Sequence, residues 1–246
     1  MAHYARGLLD KLPRSPLGDL LYLFIMFVYA HRRLPRKESG LFNDYLYKLK
    51  TSQEILDILR QMTSDKALVK SYVREKCGAG LTLETLGVFG SVDEAEANAP
   101  EQPCVIKPAH GSGSVIFIDE GQRTLSDIER ATLSAALRTS PYDTAREKNY
   151  AFLRRRLICE PMLPSGTTTK DYKFFCFQGE PRLIQVDSDR QEKHKRNIYT
   201  PNWEPVSLTY NFPMGPWEDA PAQLGQMLHT ARKLSEIGRA SCRERV

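Results

Sequence analysis

Long hydrophobic runs are missing from this 246-residue chain. The longest, Leu20–Ala30 (LLYLFIMFVYA), is too short to span a bilayer as a helix. Arg6, Lys11 and Arg14 precede it as in a signal peptide, but His31-Arg32-Arg33 stands where a small-residue cleavage site belongs. A buried helix is the expectation. Peripheral membrane contact, helped by the flanking basic residues, is the second reading. Cysteine is also scarce, and one of the five, Cys242, lies in the last ten residues. Cys77, Cys104, Cys159 and Cys176 are far apart with no C-x-x-C pair, which argues against zinc and for buried free thiols in a reducing cytoplasm. No Ser/His/Asp or Cys/His nucleophile arrangement, internal repeat or low-complexity block is present. Charge of one sign is not in large excess: 35 basic against 30 acidic residues give +5. That balance does not call for nucleic acid and suits a protein that handles anions.

Local signals divide the chain. Leu17–Arg33 and Leu41–Leu49 read as helices. Thr51-Ser52-Gln53-Glu54 is a capping-box pattern opening a third, Ile55 to Met62. Ser64 stands as the cap of a fourth, Asp65 to Cys77, with Gly78 at its end. Ser91–Pro103, acidic and Ala-rich, reads as a surface connection. Ser126-Asp127-Ile128-Glu129 repeats the capping-box pattern for a helix running to Arg138. Leu157–Leu163 is strand-like, Gln178-Gly179-Glu180 is a hairpin turn between Asp171–Phe177 and Arg182–Val186, and Asp219–Ser235 is helical. Helices followed by mostly antiparallel strands with helices between them predict an α+β fold.

The most informative stretch is Cys104–Asp119, CVIKPAHGSGSVIFID. Two β-branched runs flank Lys107-Pro108 and His110-Gly111-Ser112-Gly113-Ser114. Glycines let backbone N–H groups approach phosphate oxygens, serine hydroxyls add donors, and a lysine adds a point charge. A P-loop places its lysine after the glycines, at a helix start. Here it precedes them and a strand follows, so the order fits a flap over a nucleotide; an ordinary hairpin with a small-residue loop is the alternative. Companion segments add weight. Glu160-Pro161-Met162-Leu163 closes a strand with an acid, Asp65-Lys66 opens a helix, and alternation puts Asp171, Lys173 and Phe175 on one face. Taken singly, each also has a plain structural reading: a strand-end carboxylate, a surface charge and an exposed ion pair. His110 reads as structural, His194 as part of the solvated run 192–196, Arg154-Arg155-Arg156 as a helix-end charge cluster, and Trp203 and Trp217 as loop anchors.

The string after Glu236, IGRASCRERV, looks like the conceptual translation of a sequencing adapter. Without it 32 basic and 29 acidic residues remain, for +3. The expectation is that residues 237–246 are a non-native, irregular tail, and that the sheet ahead of them keeps an open edge.

These motifs in this order resemble the TupA-like ATP-grasp family, named for teichuronopeptide biosynthesis. The resemblance runs from about His31 to Glu236. It is carried by Leu41-Phe42-Asn43-Asp44 with Leu49-Lys50, Ser64-Asp65-Lys66 with Val69–Val73, and Val105–Pro108 with His110–Ser114. It continues through Cys159–Leu163, Asp171–Phe177 with Gly179, Asp187, Asp189-Arg190 and Asn202-Trp203. It implies a helical region over residues 1–62 and an ATP-grasp domain over 63–236, incomplete at its C-terminus, in which two α+β subdomains close on ATP.

By that resemblance Lys66 and Lys107 are the phosphate-facing lysines, expected on one cleft with Lys173. Gly111, Ser112, Gly113 and Ser114 form the lid, and Glu160, Pro161, Met162 and Leu163 the hinge beside adenine. Lys173 and Arg190 hold the γ-phosphate and stabilise an acyl phosphate; Asp171 and Asp187 are weaker candidates, for site orientation. Family members hold Mg2+ through acids expected beyond Glu236; Asp187 and Asp189 come too early in the order to replace them, so this fragment is expected to be largely inactive. The implied activity is ATP-dependent carboxylate–amine ligation, in the cytoplasm or at the inner face of the membrane, on a carboxylate-bearing, glycan-linked substrate. The alternatives are a glycosyltransferase-like or kinase-type transferase and a non-catalytic ATP-binding assembly module.

Overall fold

Ser15 and Pro16 open the first helix. The Ser15 hydroxyl accepts from the Gly18 N–H at 3.2 Å, and proline at the first turn gives up only a donor that would have no partner there. In this computed structural model, which describes residues 7, 9, 11–36, 38, 40–121, 124–163, 170–189, 193–237 and 240–245, the chain forms two compact units. One comprises Met1–Val69 and Glu84–Met162, the other Lys70–Leu83 and Leu163–Val246.

In the first unit, α1 (Pro16–His31), α2 (Phe42–Thr51) and α3 (Ile58–Ser64) precede a four-stranded antiparallel sheet. Its strands are β1 (Gly87–Phe89), β2 (Cys104–Pro108), β3 (Ile116–Ile118) and β4 (Leu157–Pro161), in the order β1-β4-β2-β3. Alternation along β2 buries Cys104, Ile106 and Pro108, and Cys104 and Ile106 join Phe89, Ile118, Leu133, Leu157 and Cys159 in the core. Between β3 and β4 run α6 (Asp127–Arg138), opened by the expected Ser126–Glu129 capping box, and α7 (Pro141–Ala145).

Several helix starts differ from the sequence reading, among them that of the helix expected from Asp219, which begins at Leu224. The Thr51 hydroxyl bonds back to the Tyr47 and Lys48 carbonyls of its own helix, so it caps nothing downstream. Gln53–Leu56 is a 3-10 turn, and Asp57 caps α3 by accepting from the Leu59 and Arg60 N–H groups. Ser64 ends α3, and the next helix, α4, spans Val69–Cys77, leaving Lys66 in the turn ahead of it. Ser91–Pro103 holds a short helix, α5 (Val92–Ala97), capped by Ser91; Val92 and Ala95 are core residues, and Asp93 and Glu94 complement its positive end.

The second unit is a five-stranded antiparallel sheet in the order β8-β7-β6-β5-β9. Its strands are β5 (Asp171–Phe177), β6 (Glu180–Ser188), β7 (Lys195–Tyr199), β8 (Pro205–Val206) and β9 (Ala240–Arg245). Gln178 and Gly179 both have positive φ, +54° and +85°, the geometry of a type I′ turn, and they close the predicted β5–β6 hairpin. Phe174, Cys176, Ile184, Val186 and Tyr199 pack with Ala231 of α8 (Leu224–Leu234), and the Tyr72 hydroxyl of α4 donates to the Leu234 carbonyl at 3.2 Å.

Composition predicts an irregular chain end and an open sheet edge, yet Ala240–Arg245 pairs along β5, with Phe177 opposite Ala240 and Lys173 opposite Arg245. The free edge of β5 is a row of backbone donors and acceptors, which an extended segment can satisfy with little regard to its side chains.

Candidate functional site

Each unit carries one cluster of the expected residues. In the first, β2 ends in Lys107-Pro108 and the chain turns out through the glycine loop before returning as β3. Gly113 (φ +79°) and Ser114 (φ +51°) both lie in the left-handed region that turns the loop back, which glycine adopts without steric cost. The predicted strand–loop–strand is therefore present.

The base of this loop is tied down from three sides. The His110 Nε2 lies 3.2 Å from both the Ala136 and Thr139 carbonyls, and Nδ1 accepts from the Arg156 N–H at 3.3 Å. Two carbonyls at one nitrogen and a donor at the other fix the neutral tautomer protonated on Nε2. His110 is thus structural, as expected. The Ala109 N–H donates to the Arg156 carbonyl at 2.9 Å. Lys66 supplies the third tie: its N–H donates to the Ala109 carbonyl at 2.9 Å, and its ammonium to the carbonyls of Pro108 (3.0 Å) and Gly111. The turn that presents Lys66 is held by the buried Asp65 carboxylate, which accepts from the Ala67 and Leu68 N–H groups and from Arg156 Nη2 at 3.1 Å.

Lys107 lies on the face of β2 opposite the core, where register places Val105 across from Glu160. Its ammonium forms an ion pair with the Glu160 carboxylate, one pair diagonally along the ladder. Of the expected hinge, Met162 spends its N–H on the Pro103 carbonyl at 3.1 Å, and Leu163 is exposed. Arg154–Arg156 lie in coil: Arg155 meets the Arg138 carbonyl at the end of α6 and the Asp143 carboxylate, while Arg156 meets Asp65.

Behind this face, Cys104 and Cys159 are buried beside each other. Burial, the hydrogen bond to Cys104 and the nearby charge of Glu160 push the Cys159 thiol up to about 12; burial also raises that of Cys104. The expectation of buried thiols outside any disulfide holds for Cys104, Cys159 and Cys176; Cys77, also in no disulfide, is half-buried.

The second cluster sits across β5, β6 and β7. Register sets Asp171 opposite Asp187, Lys173 opposite Gln185, and Asp187 opposite Arg196. Lys173 is no exposed ion pair: it is 1% exposed, with its ammonium between the Asp171 carboxylate (2.6 Å) and that of Asp187. Arg196 Nε and Nη2 bond the two Asp187 oxygens at 2.6 and 3.1 Å, and Gln185 Nε2 bonds both at 3.0 Å. Burial would raise the Asp187 pKa, but the hydrogen bonds and charges of Arg196 and Lys173 outweigh it and hold this carboxyl well below the usual range.

The run 192–196 is therefore not wholly solvated. Arg196 is buried, and His194 stacks on Phe212 with ring centres 3.6 Å apart. Sequence reasoning missed Arg196 and Gln185; the β-branched and aromatic Ile198-Tyr199 next to Arg196 was the available signal for a strand there. Trp203 behaves as the expected anchor, stacked on Tyr199 with its Nε1 donating to the Glu218 carbonyl. Arg190 lies outside the described residues.

The Asp187 oxygens are filled by nitrogen donors from Lys173, Gln185 and Arg196, so this carboxylate does not fit a magnesium ligand. Asp189 has Lys195 3.8 Å away. Lys66 and Lys107 fit a polyphosphate in residue type, since one is bonded to the glycine-bearing loop after Pro108 and the other stands on the strand leading into it.

The family model for TupA-like ATPgrasp matches residues 45–238. No curated protein matches the chain. Among solved structures, similarity is found to an L-amino acid ligase from Bacillus licheniformis, with a TM-score of 0.43 and 12% identity over 78% of this chain and 42% of that one. A D-alanine–D-alanine ligase from Helicobacter pylori gives 0.34 and 18% identity over 71% of this chain and 46% of that one. The chain thus spans less than half the length of either ligase, and at these scores no residue role passes from them to this protein. The family match covers most of the chain, and it takes in the glycine loop, the Lys66 turn and every strand except β9: this protein belongs to the TupA-like ATP-grasp family.

Proposed function

We propose that the chain handles the nucleotide in an ATP-dependent carboxylate–amine ligase of cell-surface polysaccharide or teichuronopeptide biosynthesis, working in the cytoplasm or at the inner face of the membrane. The observation that carries this reading is the bonding of the Lys66 ammonium to the Pro108 and Gly111 carbonyls at the base of the glycine loop, directly after Lys107 on β2. Lys66 holds the first part of the loop through the Pro108 and Gly111 carbonyls, and Lys107 leads into it from β2. A triphosphate offers the Lys66 ammonium a stronger acceptor than its two backbone carbonyls and competes with Glu160 for that of Lys107, so binding would release the loop and close it over the phosphates.

Gly111 to Ser114 then supply backbone and hydroxyl donors. Glu160, Pro161, Met162 and Leu163 border the base, with the Met162 carbonyl as an acceptor, since its N–H is already used. Lys173 and Arg190 are assigned the γ-phosphate and the charge that develops on the acyl phosphate; Asp171 and Asp187 hold the Lys173 side chain in place. Attack of the substrate carboxylate on the γ-phosphorus gives acyl phosphate and ADP. An amine then displaces phosphate to form the amide.

The test is ATP binding by calorimetry, followed by product analysis with carboxylate-bearing glycans and amines. Amide with ADP and phosphate supports ligation. A phosphorylated or glycosylated acceptor would instead make the protein a transferase, and tight ATP binding without turnover an assembly module.

A further inference from the structure

Helix α1 is apolar on two faces, and only one of them is covered. Tyr22, Leu23 and Phe27 are buried. Asp19 is locked by Arg146 at 2.9 Å and by the Tyr142 hydroxyl at 3.1 Å, and the Tyr22 hydroxyl donates to the Thr144 carbonyl at 3.0 Å. These contacts fix the rotation of the helix. The other face repeats every three or four residues as Leu17, Leu20, Leu21, Phe24, Ile25, Val28 and Tyr29. Leu17 is 80% exposed, and Leu20, Leu21 and Tyr29 are each close to half exposed. The expectation that this segment packs its apolar side away is met by one face only. Phe24, Ile25, Val28, Tyr29 and Arg32 line an open depression of about 520 Å³.

We infer that this outer stripe lies on an anionic membrane surface. Its charges are those such a surface selects. Lys11 precedes the stripe, with the half-exposed Arg14 whose guanidinium meets Asp143 at 3.5 Å, and the exposed Arg32 follows in the same row, its guanidinium 5.0 Å from the centre of the Tyr29 ring. No acid interrupts the row; the one acid of the helix, Asp19, is buried against Arg146. Apolar contact flanked by basic residues at both ends matches acyl chains bordered by anionic headgroups. From Leu17 to Tyr29 the stripe is roughly 18 Å long, too short to cross a bilayer and suited to lying along it. No described helix is long and apolar enough to cross a membrane. A second copy of the chain is a poor cover, because antiparallel pairing brings Lys11 and Arg14 against Arg32 and parallel pairing sets like on like. This inference is independent of the ligase reading.

The test is flotation of the full chain with vesicles of phosphatidylcholine alone and of phosphatidylcholine mixed with phosphatidylglycerol. Binding is expected to the mixed vesicles and to weaken as salt rises. Phe24→Ser and Ile25→Ser should each lower it about tenfold with far-UV circular dichroism unchanged, since both side chains already face outward. Arg32→Glu should lower binding to mixed vesicles. Absence of binding by a folded chain would overturn the inference, as would binding that Phe24→Ser and Ile25→Ser leave unchanged. A dimer in light scattering that these two substitutions convert to monomer would assign the stripe to a second copy instead.

Discussion

Arg196 grips Asp187 across neighbouring strands with two hydrogen bonds, Nε to Oδ1 at 2.6 Å and Nη2 to Oδ2 at 3.1 Å, and both side chains are buried. Lys173 reaches the same carboxylate from the other side. With Asp171 on the other side of Lys173, two anions and two cations balance within the sheet, and removing one leaves a charge over. Arg196→Ala leaves two carboxylates to one ammonium, Asp187→Leu leaves buried Arg196 without its carboxylate, and each should cost about 3–5 kcal/mol. Urea unfolding of the variants checks this, and a loss under about 1 kcal/mol would show the cluster to be solvated.

The same carboxylate sets a pH dependence. Its native pKa is held below that of the unfolded chain, so its stabilisation is complete above the unfolded value of about 3.9 and is lost as pH falls through the native one. Wild type should therefore lose stability on acidification below about pH 4, and Asp187→Asn should flatten that part of the curve. Denaturant midpoints against pH read the difference; parallel curves would remove Asp187 as its source.

Lys66 and Lys107 make separable predictions because only Lys66 ties the loop. Lys107→Ala should weaken ATP binding about tenfold or more, given about 1.5–3 kcal/mol for a charged hydrogen bond. Lys66→Ala should do the same and also speed amide exchange across 109–114 in the ligand-free protein, which Lys107→Ala should leave unchanged. Unaltered ATP affinity in both variants, by calorimetry, would remove the phosphate assignment.

The loop geometry predicts a steric effect at one position. With φ at +79°, Gly113→Val forces a β-branched residue into left-handed backbone at a cost of roughly 1–2 kcal/mol, although no atom lies within 4 Å of the added Cβ. The loop should move to relieve it. A fall in ATP affinity with little change in melting temperature is the expected signature, measured by calorimetry and thermal unfolding.

Thiol chemistry should follow burial. With the Cys159 pKa pushed up to about 12, only about one molecule in ten thousand carries its thiolate at pH 8. Alkylation of the native protein, mapped by mass spectrometry, should reach half-buried Cys77 before Cys104, Cys159 and Cys176. Early labelling of Cys159 would mean that β4 opens readily.

Several features are decided within a few residues of chain, and sequence alone reveals them. The Ser126–Glu129 capping box, the Gln178-Gly179 turn, the alternation in β2 and the strand–loop–strand around His110–Ser114 are of this kind, since side chain and backbone partner are near neighbours. Their order was enough to point to the ATP-grasp family. Other features depend on partners brought together by folding. Thr51 carries a capping pattern, but its hydroxyl turns back into α2 and Asp57 takes over the cap. Arg196 reads as a surface charge, and Lys173 as a phosphate ligand with an exposed ion pair as the alternative, until strand register sets both around Asp187; Lys107 meets Glu160 only because β2 and β4 are adjacent. The two faces of α1 are equally apolar in sequence; Asp19, held by Arg146 more than a hundred residues away, decides which one is covered. Hydrogen bonds within a turn leave a short-range trace in sequence, whereas register and helix rotation are fixed by packing between distant segments, and only the tertiary structure records them.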